Sequence, residues 1–124
     1  VAEGGVLHAA AEAEKGNGYV LYIEDNNRII SLLTAYTAAD EADITNVAVD
    51  ISMRRTGLAK MLLSEFEAML PCNINEIFLE VRASNKPAIK LYSSFGYEQI
   101  AVRKRFYSNP IEDAIIMKKK VGEN

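Results

Sequence analysis

The chain has one cysteine, one histidine and no tryptophan in 124 residues. A lone thiol excludes an internal disulfide, and one cysteine with one histidine cannot furnish the four ligands of a structural zinc site, so no metal is expected. Long apolar runs are missing as well. No stretch approaches the roughly 18 residues that span a bilayer, and the N-terminal residues show no basic region followed by an apolar one. The expected location is therefore cytoplasmic, with no membrane contact. Charge of one sign is equally scarce: a net charge of -3 provides no general attraction for nucleic acid and only mildly favours a basic partner. With 49% hydrophobic and 25% charged residues, the composition is that of a globular protein, and the length suits one domain over 1–124.

Periodicity divides that domain into alternating elements. Residues 9–13 are rich in alanine and precede Gly16, which reads as a short helix with a glycine stop. His8 lies in this segment and has a structural reading only. Residues 1–18 as a whole are the least assignable. Two strands, 19–24 and 28–37, flank the turn formers Asp25, Asn26 and Asn27 and read as a hairpin. The β-branched segment 44–50 reads as a third strand after the polar "AADEAD". A helix over about 56–70 carries Leu58, Leu62, Phe66 and Met69 on one stripe and stops at Pro71. Cys72, beside Pro71, reads as a small buried residue.

"NEIFLEV" is a buried-looking strand, with Ile77, Leu79 and Val81 facing one way and Phe78 and Glu80 the other. A second helix over 85–95 has Ser84 or Asn85 as N-cap, Pro87 in its first turn and Gly96 after its end. Strands at 97–106 and 112–118 close the chain. Strand, helix, strand, helix, strand implies parallel crossovers, and the terminal hairpins imply antiparallel edges. The expected fold class is α/β with a mixed sheet.

Two constellations could carry chemistry. "RRTGLAK", residues 54–60, sets Arg54, Arg55 and a lone glycine at the start of a helix, just beyond the strand "NVAV". The uncapped N–H groups of such a helix start, with Gly57 permitting close backbone approach, suit an anion such as a pyrophosphate. A solvated first turn would account for the same residues. Glu80 is an acidic residue on a strand expected to lie centrally, a costly placement unless a cleft or a hydrogen bond solvates it. Tyr92 follows on the next helix. A structural carboxylate paired with Arg82 or Arg103, and a stripe aromatic with its hydroxyl at the surface, are the competing readings.

In order along the chain, "NVAVDISMRRTGLAKMLL", "LEVRASNKPAIKLYSSFGY" and "RKRFYSNPIEDAIIMKK" resemble the GCN5-related N-acetyltransferases (GNAT), and more narrowly their RimI-type branch, which acetylates the N-terminal alanine of a ribosomal protein. Arg54, Gly57 and Ala59 fill the three places of the family's Arg/Gln-x-x-Gly-x-Gly/Ala loop. The likeness covers about residues 19–120.

The resemblance implies a GNAT fold, a mixed sheet splayed around acetyl-CoA with flanking helices and shortened N-terminal elements. It implies that Val47, Ala48 and Val49 hold the pantetheine through main-chain bonds. The loop of Arg54, Arg55, Thr56, Gly57, Leu58, Ala59 and Lys60 would wrap the pyrophosphate, and Asn85 would be a further coenzyme contact. Glu80 corresponds to the general base and Tyr92 to the general acid of direct attack in a ternary complex. Phe106 and Tyr107 match a Tyr-Tyr pair near the peptide site, with one hydroxyl missing. The implied acceptor is a protein N-terminus such as a ribosomal protein's; a small-molecule amine, or a non-catalytic acetyl-CoA-binding module, are the alternatives. Only residues 1–18 stand where the family has a strand and two helices, so the acceptor groove is incomplete or is finished by another copy in a homo-oligomer.

Overall fold

Asn26 and Asn27 both adopt positive φ, 51° and 63°, the pattern of a type I′ turn, whose twist matches that of the strands it joins. In the computed structural model, which describes residues 5–11, 17–50, 52 and 57–122, this turn joins β2 (Gly18–Asp25) to β3 (Arg28–Ala38). Before them lies β1 (Val6–Ala11); after them come β4 (Glu41–Val49), α1 (Leu58–Met69), β5 (Glu76–Arg82), α2 (Lys86–Ser94), β6 (Glu98–Ser108) and β7 (Ile111–Lys120). The strands form one sheet in the order β1-β2-β3-β4-β5-β7-β6. Among the described residues, only β4 and β5 pair in parallel. Both crossovers, through α1 and through α2, run the same way across the sheet, so right-handedness sets the two helices on one face.

That face is the core. Leu21, Ile23, Leu33, Ile77, Leu79 and Met117 project from the sheet, and Leu58, Leu62, Leu63 and Phe66 from α1, all fully buried. Each such side chain contributes about 1.5–3 kcal/mol through removal from water. Phe66 also meets the Tyr19 ring edge-on at 5.6 Å. From α1, Glu67 accepts from the Tyr97 hydroxyl at 3.0 Å and from Lys119 Nζ at 2.7 Å, tying the helix to the far side of the sheet.

The alanine-rich segment corrects the expectation drawn from it. Residues 6–11 form an edge strand, with His8 directly opposite Tyr22 and the two rings stacked at 4.8 Å. Alanine's helix preference is worth only tenths of a kcal/mol per residue, and cross-strand pairs along an open edge outweigh it. The rest of the expected helix, residues 12–16, lies outside the described residues. The third strand begins at Glu41 rather than at residue 44, because the polar run is spent in a two-residue turn at Ala39 and Asp40. Cys72 is exposed, not buried, since it follows Pro71 in the turn between α1 and β5, beyond the end of the apolar stripe.

Phe66→Ala is expected to cost about 3–5 kcal/mol of stability, by lost transfer and by the cavity left against Tyr19. The urea midpoint of the variant checks this.

Candidate active site

The parallel pairing of β4 with β5 covers Glu41↔Glu76 to Ile44↔Leu79 and stops there, although both strands continue. The stopping point coincides with a bulge. On β3, Thr34 pairs with Asn46 and Ala35 with Ile44, so Thr45 is an extra residue. Its hydroxyl donates to the Thr34 carbonyl at 3.0 Å and lies 2.7 Å from the Thr34 hydroxyl. A bulge bends its strand, and this one turns β4 from β5 where the notch between them opens. Past it, Val47 and Val49 remain paired to Leu33 and Ser31 of β3, and buried Ser31 donates its hydroxyl to the Ala48 carbonyl at 3.1 Å.

Both helices begin at the carboxyl ends of the parted strands, the position at which open α/β sheets bind ligands. Gly57, the N-cap of α1, has φ of 85°, makes no side-chain capping bond, and has no acidic residue in the turn beyond it. A Cβ built on Gly57 would meet nothing within 4 Å. This open, uncapped start fits a phosphate-bearing group such as that of acetyl-CoA. Leu58 is buried in the core and can offer only backbone; Ala59 is half-buried and Lys60 exposed. Arg54, Arg55 and Thr56 lie outside the described residues. At α2, Asn85 Oδ1 caps the Ala88 N–H at 3.2 Å, which settles the choice between Ser84 and Asn85 and leaves Nδ2 for a ligand.

On the face opposite the helices, Glu80 is exposed and pairs with Arg103 Nη1 at 3.6 Å. The competing reading of Glu80 as a paired carboxylate thus has its partner, without any burial that would require one. Arg82 pairs instead with Glu112 at 3.4 Å, and its guanidinium lies 4.2 Å from the centre of the Tyr107 ring. Tyr107 is half-buried, and desolvation, followed by the Glu80 charge, raises its pKa. Phe106 is exposed and packs edge-on against Tyr107 at 5.1 Å.

Tyr92 is the one buried residue of α2, its ring 5.9 Å from that of Tyr97. The hydroxyl is therefore not simply a surface group. Desolvation, with a smaller contribution from Tyr107, pushes its pKa up to about 12. Tyr107 thus feels the Glu80 charge and contributes weakly at Tyr92, while Glu80 lies on the open face of the sheet and Tyr92 in the helical layer.

Several residues of this neighbourhood escaped the sequence reading. Thr45 makes the notch. Tyr36 donates to Asp43 at 3.4 Å, and Asp43 is raised in pKa by desolvation while Arg103 opposes the shift. Glu112 accepts from the Ser84 N–H and fixes the loop before Asn85. Hydrogen bonds from Ser84 hold its carboxyl below the usual range. Asp113 accepts from the Arg105 N–H at 2.9 Å, the foremost cause of its lowered pKa. Within "RKRFYSNPIEDAIIMKK", the ties of Glu112 to Ser84 and of Asp113 to Arg105 depend on the strand pairing and are not legible in the segment itself.

With this geometry in place, comparison with known proteins is decisive about class. The profile of the Acetyltransferase (GNAT) family matches residues 3–97, and the chain belongs to that family of acetyltransferases. It is 42% identical over 100 residues, 77% of its length and 68% of the relative's, to the [ribosomal protein bS18]-alanine N-acetyltransferase of Haemophilus ducreyi. The crystal structure of the ribosomal-protein-S18-alanine N-acetyltransferase from Escherichia coli superposes with a TM-score of 0.79 at 30% identity, over 95% of this chain and 83% of that one. A GNAT acetyltransferase of Elizabethkingia anophelis with acetyl-CoA bound shares the fold, with a TM-score of 0.78 at 17% identity over 96% and 99% of the two chains.

Because the folded state holds the Tyr92 proton to about pH 12 whereas an exposed phenol releases it near 10, stability should be fully present below pH 10 and fall as pH rises through that interval. The 295 nm titration difference between the parent and Tyr92→Phe is expected to show a phenol ionising near 12.

Proposed function

We propose that residues 1–124 form one acetyltransferase domain that moves an acetyl group from acetyl-CoA to the N-terminal α-amine of a protein. The acceptor is a ribosomal protein of the bS18 kind, and the compartment is accordingly the cytoplasm. What carries this reading is the notch parted by Thr45, with the uncapped start of α1 at its mouth. Val47, Ala48 and Val49 would present main chain to the pantetheine, as a strand adds to an exposed edge. The Val49 N–H is the donor assigned to the thioester carbonyl, where negative charge builds up. Backbone from Arg54 to Lys60 would wrap the pyrophosphate, with Asn85 Nδ2 as a further contact.

An α-amine with pKa about 8 is mostly protonated at neutral pH and cannot attack until it loses a proton. Glu80, open to water and unable to be a donor when ionised, takes that proton directly or through a water molecule. Attack then occurs within the ternary complex, with no covalent enzyme intermediate. Exposed Cys72 has no part in it. Tyr92 keeps its proton throughout the physiological range and serves as donor to the departing sulfur. Full transfer to an ordinary thiolate, near 8.5, is uphill by roughly 5 kcal/mol from a phenol at about 12, so its main action is a hydrogen bond to the developing charge. Phe106 and Tyr107 flank the acceptor.

Glu80→Gln and Tyr92→Phe are each expected to lower kcat by 10²-fold or more while calorimetric binding of coenzyme A persists. Unchanged turnover in both would sink the mechanism. Gly57→Pro should weaken coenzyme binding more than Arg54→Ala; the opposite order would assign the anion to side-chain charge. For the acceptor, mass spectrometry with a peptide carrying an N-terminal alanine from a ribosomal protein, set against a panel of small amines, is expected to find acetyl only on the peptide. Transfer to the amines alone would overturn the assignment.

A further inference from the structure

Arg103 on β6 reaches across β7 to Glu80 on β5, with Nη1 3.6 Å from Oε1. Its guanidinium also lies 5.6 Å from the centre of the Phe106 ring. Its field extends to Asp43 on β4, which Tyr36 of β3 already engages at 3.4 Å. The groups facing Glu80 are therefore Tyr36, Asp43, Arg103 and Tyr107 from other strands, and Arg82 from its own. Arg82 is committed to Glu112 and to the Pro110 carbonyl at 3.2 Å. Lys104, the next cation along β6, is committed to Asp113 at 3.4 Å. Among the described residues, Arg103 alone is paired with the carboxylate assigned as base.

We infer that Arg103 is a positioning residue, which uses the Phe106 ring as a rest and holds the Glu80 carboxylate in one place on the open face. This rests on the reading of Glu80 as base. Among the described residues, with Arg82 taken up by Glu112, two carboxylates and one guanidinium leave this patch one positive charge short, and the α-ammonium of the acceptor is a cation of the right charge to fill it. The guanidinium holds the carboxylate in place before the acceptor arrives, yet at 3.6 Å it is loose enough to be displaced by an ammonium. Arginine rather than lysine suits the place because a planar cation can stack on an aromatic face while presenting an edge to a carboxylate.

The test compares Arg103→Met, which keeps the length and loses the charge, with Arg103→Lys. Side-chain carboxyl ¹³C signals followed by NMR at fixed neutral pH are expected to show the Glu80 resonance displaced and broadened in Arg103→Met and returning most of the way in Arg103→Lys. In Arg103→Met, kcat/KM for an N-terminal alanine peptide should fall several-fold at pH 6.5, with KM for acetyl-CoA unchanged. Thermal unfolding near that of the parent certifies the fold. A Glu80 carboxyl signal unmoved in a folded Arg103→Met protein would overturn the inference, whatever happens to turnover. Glu80→Gln separates this from the larger reading: full activity there refutes Glu80 as base, whereas the carboxyl signal decides the Arg103–Glu80 contact by itself.

Discussion

One extra residue in one strand governs the working end of the molecule. Thr45, inserted opposite the Thr34–Ala35 step of β3, is the point at which β4 stops pairing with β5. Two strands that begin in register would otherwise continue so. The bulge is pinned by hydroxyl bonds between Thr34 and Thr45, so the parting is fixed by the chain and does not wait for a ligand. Since the strands are parallel, both crossover helices start at the end where they part. The same geometry that disrupts the ladder thus brings two helix N-termini to the opening.

The two faces of the sheet then have different duties. The helical face is apolar and gives the molecule its stability, with Phe66 and the leucines of α1 sealed against β2 and β3. The other face carries charge in pairs, Arg82 with Glu112 and Arg103 with Glu80, while Lys104 pairs with Asp113 where β6 is irregular. Exposed pairs of this kind contribute little to stability, about 0–1 kcal/mol each, and their value lies in orientation. Glu112 and Asp113 show it most clearly, since each also accepts a backbone N–H, Glu112 from the loop at Ser84 and Asp113 from the irregular part of β6 at Arg105. Tyr92 is the counterpoint, a polar group kept in the apolar layer, where burial preserves its proton.

Much of this was legible in the sequence, for identifiable reasons. The Asn26–Asn27 turn, the α1 stripe, the Asn85 cap and Gly96 with its φ of 94° are local signals, set by residues a few positions apart. Alternation placed Glu80 correctly on the face away from Ile77, Leu79 and Val81. What failed or was absent depends on distance in sequence. Alanines at 9–11 were drawn into a strand by β2, a partner their own composition does not mention. The bulge at Thr45 is a mismatch between two strands, invisible in either. Arg103 reaches Glu80 only because β6 lies beyond β7, a strand order that the element pattern does not specify.

The central claim is that the acetyl donor lies in the notch made by Thr45, against the second half of β4 and the start of α1. Backbone amide chemical shifts of the ¹⁵N-labelled protein, followed as coenzyme A is added, test it most directly. The account predicts that the largest changes fall on Val47, Ala48, Val49, Gly57, Ala59 and Lys60, with little movement along β1 and β2. Changes concentrated on the outer edge of β1, or spread over β6 with β4 and Gly57 unmoved, would contradict it.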